Sequence, residues 1–453
     1  MAYTGVAAAL LKKFGAKEGD RVSLKARDGG FEGILMPRSE IGDGNHLVLK
    51  LANGYNVGVY VDGKEKLEVS RGRVMRAEKT PAVSAQLKKG KPLLSIIHTG
   101  GTIASKVDYR TGGVVPALKA AELLELFPEL DRANLRATVV SNMLSENIEP
   151  EHCAMMAKGI AKEIGEGAQG VVVTHGTDTI AVSSAMVSFM VQNLPIPVVF
   201  VGSQRSSDRG SSDADMNLMC ASNFALNADF AGVGLCMHGT MSDDYCLVHE
   251  GTKARKLHTS RRDAFRSVNQ KPWAKVWRDG KIEFIRGDRL GRGASRKPLL
   301  CEKFEKKVAL LKSYSGFDPE LIGYFADKKY RGLVLEGTGL GHIPINDLDE
   351  ATHGHKETFR NLKRFIDSGG IAVMTSQCLY GRVDMDVYSA GRDLLKIGVL
   401  PGEDMLPETA LVKLKWVLGQ TRDAEKAKAM MLTNIAGEIT ERTATDAVIE
   451  QEL

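Results

Sequence analysis

The chain has 453 residues, of which 43% are apolar and 26% charged, and no apolar run reaches 18 residues. That length fits two to four globular domains, and no membrane-spanning helix is expected. The net charge of +5 is concentrated in the first ninety residues, which hold 16 Lys and Arg against 10 Asp and Glu, while the remainder is close to neutral. Such an excess fits either a solvated basic face or contact with an anionic partner such as RNA. The short apolar run near the N-terminus is followed by lysines, not preceded by them, so it does not read as a secretory signal. Six scattered cysteines without a C-x-x-C pair suit free thiols in the cytoplasm better than a disulfide framework or a zinc site.

Residues 17–78 contain short β-type runs (RVSLKA, FEGILMPR, NHLVLKLANG, YNVGVYV, KLEVS) separated by DGG, GDGN, ANG and DG turn signals. They predict a small antiparallel domain over 1–80, an SH3-like β-barrel. The Pro- and Lys-rich stretch 81–92 reads as a linker. From Leu93 the texture changes. Continuous apolar strands at 93–98, 135–141, 170–175, 197–202 and 231–238 alternate with helical patterns, AELLELF among them. This predicts an α/β domain over 93–300 with a parallel sheet covered on both faces. The stretch 250–305 looks looser. A second α/β set, KVALLKSY to ETALVKLKWVLGQ, defines a domain over 301–435, and 436–453 reads as a polar, loosely held tail.

Ligands of parallel sheets sit at the C-terminal strand ends. Two strand ends here carry related polar sequences, HTGGT (His98–Thr102) and THGTDT (Thr174–Thr179). Each sets glycine beside threonine. Glycine allows a sharp turn and close approach of a substrate, and threonine offers a hydroxyl that becomes a nucleophile beside a base. Taken singly, either stretch also fits a capped turn or a helix N-terminus.

HTGGTIAS and VVVTHGTDT, with VGSQR, SRRDAFRSVN and EGTGLGHIP further on, resemble the bacterial-type L-asparaginase family of amidohydrolases over roughly residues 93–435. The resemblance implies an asparaginase-like two-domain body in which a threonine hydroxyl attacks a side-chain amide and ammonia is released. Carried onto this sequence, it makes Thr102 the nucleophile and Thr177, Asp178 and Lys256 its activating group. Tyr109 falls in the closing lid, Ser145 and Glu146 in the segment that grips the amino acid's α-groups, and Gly101 and Gly176 line the substrate. Glu146 departs from the Ser-Gln pair of the secreted bacterial enzymes. Backbone N–H groups of the glycine turn suit an oxyanion hole, at about 2.7–4 kcal/mol per donor. The basic surroundings of Lys256 (Lys253, Arg255, Arg261, Arg262) also fit a solvated face.

The barrel, linker and asparaginase-like body together are similar to the D subunits of archaeal glutamyl-tRNA(Gln) amidotransferases. By that resemblance the chain hydrolyses L-glutamine and passes ammonia to the E subunit of the same enzyme, which binds Glu-tRNA(Gln) and uses ATP with Mg. A homodimer within a heterotetramer is then expected. The chain has no G-x-x-x-x-G-K-[ST] loop, and GTGLGH lacks the third glycine of a dinucleotide loop. No cofactor or metal is therefore expected in this chain. His353-Gly354-His355 reads as surface. Two other readings remain at this point: a free cytosolic asparaginase or glutaminase with an added domain, and a non-catalytic RNA-binding module.

Overall fold

The computed structural model describes residues 3–27, 29–36, 43–51, 56–70, 88, 90–101, 103, 105–108, 113–116, 128–205 and 211–443. Near the N-terminus five antiparallel strands form one sheet, ordered 56–60, 46–50, 29–35, 21–26, 66–70. Its alternating pattern buries Val22, Leu24, Leu47, Leu49 and Leu67. A helix that the sequence pattern does not predict, Gly5–Phe14, places Ala7, Leu10 and Leu11 on that core. The run VAAALL is apolar all round, so it shows no helical period. Gly15 ends it in the left-handed conformation, φ 66°. No pairing joins the outer strands 56–60 and 66–70 among the described residues.

The body opens with an eight-stranded sheet. Strands Asn134–Met143, Leu93–Gly100, Gly170–Thr174, Pro197–Val201 and Gly232–His238 lie side by side and parallel. Fully buried, β-branched runs such as GVVVT and PVVFV form its centre because helices cover both faces. Helices Pro150–Gly165, Ile180–Met190 and Ala214–Asn227 follow their strands. The expected helix AELLELF lies outside the described residues, as do 81–87 of the linker.

The stretch 250–305, expected to be loose, carries structure. Cys246–Glu250, Ala274–Val276 and Ile282–Phe284 extend the sheet antiparallel, and Ala254–Lys256 pairs with Phe265–Ser267 as a separate hairpin. Strands of three residues are too short to show a period. A second, parallel sheet follows, ordered 308–312, 332–337, 371–376, 400–401. Helix Pro407–Gln420 packs back on Ile180–Met190, with Phe189 stacked on Trp416 at 5.8 Å. Both rings are almost wholly buried. Burial of the Phe189 side chain alone stabilises by roughly 1.5–3 kcal/mol, which ties the two sheets into one body.

The tail expectation needs correction for its first part. Glu438 is fully buried and pairs with Lys413 at 2.5 Å. Thr440 N–H donates to Asp404 at 3.0 Å, and Ala436 O accepts from Thr252 Oγ1 at 3.1 Å. The polar residues that suggested solvent are there to satisfy buried partners. Residues 444–453 lie outside the described residues.

Candidate active site

Parallel register sets His98 beside Thr174. Nδ1 of His98 lies 2.6 Å from Thr174 Oγ1, Thr99 Oγ1 donates to Thr174 O at 2.9 Å, and Ser141 Oγ donates to Thr99 O at 2.8 Å. The two signature strands are thus laced together beneath their loops. Burial without a charged partner pushes His98 down to about 4, and His175 likewise to about 4, against a weaker pull upward from its bond to Gly176 O. Both are neutral at physiological pH. The two signature motifs contain His98, Thr99 and Thr174, but the sequence alone assigns them no role. Their signal is a hydroxyl or imidazole in a continuous apolar strand.

Above this floor the loops touch backbone to backbone. Gly101 has φ +78°, and a Cβ placed on it would lie 2.7 Å from Gly176 N and 2.9 Å from Gly176 Cα. A Cβ on Gly176 would in turn lie 2.8 Å from Ser145 Cβ. Gly101, Gly176 and Ser145 are therefore one packed cluster. Buried Ser145 also accepts, through its carbonyl, from Thr179 Oγ1 at 2.6 Å. Glu146, next in a short 3-10 turn, is exposed and makes no hydrogen bond among the described residues. Thr102 and Tyr109 lie outside the described residues.

Lys256 closes the arrangement. It ends the strand Ala254–Lys256, and its Nζ donates to Thr177 Oγ1 at 2.9 Å and to Asp178 Oδ1 at 2.7 Å. The lysine side chain is 15% exposed and that of Asp178 65%. The ammonium is held inward while the carboxylate faces open space. Oδ2 of Asp178 has no protein partner among the described residues, so it is placed to meet a cation from outside. The alternative of a solvated basic face does not hold for Lys256. It does fit Arg261, whose side chain is half exposed while it pairs with Asp263 at 2.8 Å.

A threonine beside a lysine–carboxylate pair, at the C-terminal end of a parallel sheet, can activate a hydroxyl and receive an amino acid's ammonium group. Clefts of about 500 Å³, flanked by Met155 and Phe304, and about 290 Å³, flanked by Trp273 and Leu290, include no member of this cluster. The geometry outweighs cavity size here, because the cluster opens directly to solvent. No group of three or more His, Cys, Asp or Glu side chains placed to hold a metal occurs among the described residues. No described helix is long and apolar enough to cross a membrane.

Three families match the chain: "Asparaginase, N-terminal" over residues 93–289, "Glutaminase/Asparaginase C-terminal domain" over 307–431, and "GatD N-terminal domain" over 16–69. The glutamyl-tRNA(Gln) amidotransferase D subunit of Pyrococcus furiosus is 49% identical, covering 96% of this chain and 97% of that one. Its counterpart in Methanopyrus kandleri is 48% identical, covering 96% and 94%. Among solved structures, the thermostable L-asparaginase from Thermococcus kodakarensis aligns with TM-score 0.68 at 33% identity, over 77% of this chain and 100% of that one. L-asparaginase I from Vibrio cholerae aligns with TM-score 0.65 at 28% identity, over 77% and 99%.

Proposed function

The chain belongs to the family of glutamyl-tRNA(Gln) amidotransferase D subunits, and from that premise we propose that it is the glutaminase half of a tRNA-dependent amidotransferase. It hydrolyses L-glutamine and delivers the ammonia to a partner, the E subunit, which converts Glu-tRNA(Gln) to Gln-tRNA(Gln). The observation that carries the chemistry is the Lys256 ammonium bridging Thr177 and Asp178 beside the Gly101–Gly176 contact. The observation that favours this family over a free asparaginase is coverage. The asparaginase structures account for 77% of the chain, whereas the D subunits account for 96% and include the domain matched at 16–69. A non-catalytic RNA-binding module would have no use for the lysine bridge.

Thr102 directly follows Gly101 in the sequence. Its hydroxyl oxygen attacks the side-chain amide carbon, the C–N bond breaks, and the leaving nitrogen takes a proton and departs as ammonia. Water then cleaves the threonyl ester to give glutamate. Each half-step moves one proton off an attacking oxygen. Thr177 and Lys256 form the relay for it: as the neutral amine Lys256 takes the proton through the Thr177 hydroxyl, is held as the ammonium by its pair with Asp178, and gives the proton back to the departing nitrogen in the first half-step and to the Thr102 oxygen in the second. Oδ2 of Asp178 pairs with the α-ammonium group of glutamine, so simple amides without that group bind less well.

The nucleotide step belongs to the partner, with ATP and Mg bound there; this chain's sequence has no phosphate-binding loop. The protein works as a homodimer within a heterotetramer, in the cytoplasm. Ammonia release from glutamine tests the site. Thr102→Ala, Thr177→Val and Lys256→Met should each lower kcat by at least about a hundredfold while the protein stays folded. Retained activity in Thr177→Val or Lys256→Met would refute the relay, and retained activity in Thr102→Ala would refute the nucleophile.

A further inference from the structure

The hairpin that presents Lys256 is bolted to the second domain at both of its roots. On the incoming side, Lys253 is wholly buried and its Nζ donates to Asp404 Oδ2 at 2.7 Å. Beside it, Thr252 O accepts from Thr409 Oγ1 at 2.9 Å. On the outgoing side, Asn269 adopts φ 59° and is 2% exposed. Its Nδ2 donates to Asp404 O at 3.1 Å and to Gly381 O at 3.0 Å, and its Oδ1 accepts from Gly381 N–H at 2.8 Å. The two roots are joined to each other where Val268 N–H donates to Lys253 O at 2.8 Å.

Asp404 is the common anchor. Its carboxylate also accepts from Thr440 N–H at 3.0 Å and from the Thr440 hydroxyl. Its loop is fixed to the second sheet where Gly402 N–H donates to Met374 O at 2.7 Å. Between the roots the hairpin is short, with Lys256 only three residues from Lys253. The catalytic lysine therefore stands on first-domain residues, but its position is set from the second domain and the segment around Thr440.

We infer that Asp404, Lys253 and Asn269 are positioning residues for the reaction: they hold the Lys256 hairpin so that Nζ reaches Thr177 and Asp178. This rests on the assignment of Lys256 to catalysis made above. A buried ion pair is a costly way to gain stability alone, since matched apolar side chains often do as well or better. What it supplies is a single orientation, and misplacing a catalytic group by about 1 Å can cost on the order of a hundredfold in rate.

The test is steady-state glutamine hydrolysis by the full chain, assembled with its tRNA-binding partner and Glu-tRNA(Gln), comparing Lys256→Met, Asp404→Asn, Asn269→Gly and Phe365→Leu. Phe365 lies in the second domain's own core and serves as a control for general destabilisation. Asn269→Gly keeps the left-handed backbone accessible while removing the side-chain bonds. We expect Asp404→Asn and Asn269→Gly to lower kcat by about tenfold or more with KM changed less than about threefold, and Phe365→Leu to leave kcat per folded molecule unchanged. The inference is overturned if Lys256→Met is inactive yet both anchor variants match the control. If Asp404→Asn does not fold, Asn269→Gly decides alone. Full activity in Lys256→Met would instead remove the catalytic assignment itself.

Discussion

Gly101→Ala is the sharpest single perturbation of the site. The added methyl carbon would sit 2.7 Å from Gly176 N, 2.9 Å from Gly176 Cα and 3.0 Å from His175 C, where ordinary contact begins near 3.4 Å. The shortfall is about 0.7 Å, and every neighbour is backbone, so no side chain can swing aside. The backbone at φ +78° adds its own penalty, about 1–2 kcal/mol for a residue with a Cβ. Overpacking adds about 1–3 kcal/mol, so the native arrangement is destabilised by roughly 2–5 kcal/mol. The chain relieves part of that by moving Gly101 away from Gly176 and so from Thr177, the residue next to Gly176 that Lys256 holds. Activity should therefore fall further than stability, by about a hundredfold in kcat. Urea unfolding and ammonia release on the same preparation measure both. A variant with wild-type kcat and undiminished unfolding midpoint would show that the two loops do not abut, and the reasoning would fail.

Three further outcomes concern His98, Lys413 and Asp178. His98 and His175 are held at about 4, below the 6.5 of an exposed imidazole. The unfolded chain thus takes up protons first as pH falls, and stability drains away between pH 6.5 and about 4, by up to about 3 kcal/mol for each. His98→Gln should flatten that decline in urea unfolding between pH 7 and 5; an unchanged slope would mean the imidazole is not buried neutral. Lys413→Met leaves the buried Glu438 carboxylate without its cation, holding only N–H bonds from Ile435 and Ala436, and should cost about 3–5 kcal/mol in guanidinium unfolding; a loss under about 1 kcal/mol would contradict the burial. Asp178→Asn should raise KM for glutamine far more than for an analogue lacking the α-amino group, and equal effects on the two would remove the ammonium-binding role of Oδ2.

Where the sequence was legible, and where it was not, has a physical pattern. The parallel strands were readable because GVVVT and PVVFV are buried on both faces and leave an unbroken apolar run. The outer antiparallel strands Ala274–Val276 and Ile282–Phe284 and the hairpin of Lys256 were not, since strands of three residues carry no period. The helix Gly5–Phe14 hid in an apolar run without polar punctuation. Thr177, Asp178 and Lys256 came from resemblance, and the structure brings all three within hydrogen-bonding distance. The anchors of that lysine were illegible for a different reason. Lys253 and Asp404 are 151 residues apart, and each, alone in the sequence, looks like a surface charge. Pairing across domains is what makes them interior, and no local pattern announces it. The same holds for Glu438 and Thr440, whose polarity signalled solvent but serves buried donors and acceptors.

The most direct measurement follows the nitrogen. Glutamine labelled with heavy nitrogen in its side-chain amide would be supplied to the chain with the E subunit, ATP, Mg and Glu-tRNA(Gln), and the aminoacyl group recovered from the tRNA analysed by mass. The account predicts labelled glutamine on the tRNA, at a yield little diluted by unlabelled ammonium in the medium, and none with Thr102→Ala. Label appearing only as free ammonia, equally fast without the partner and tRNA and faster from asparagine, would contradict it and identify a free amidohydrolase.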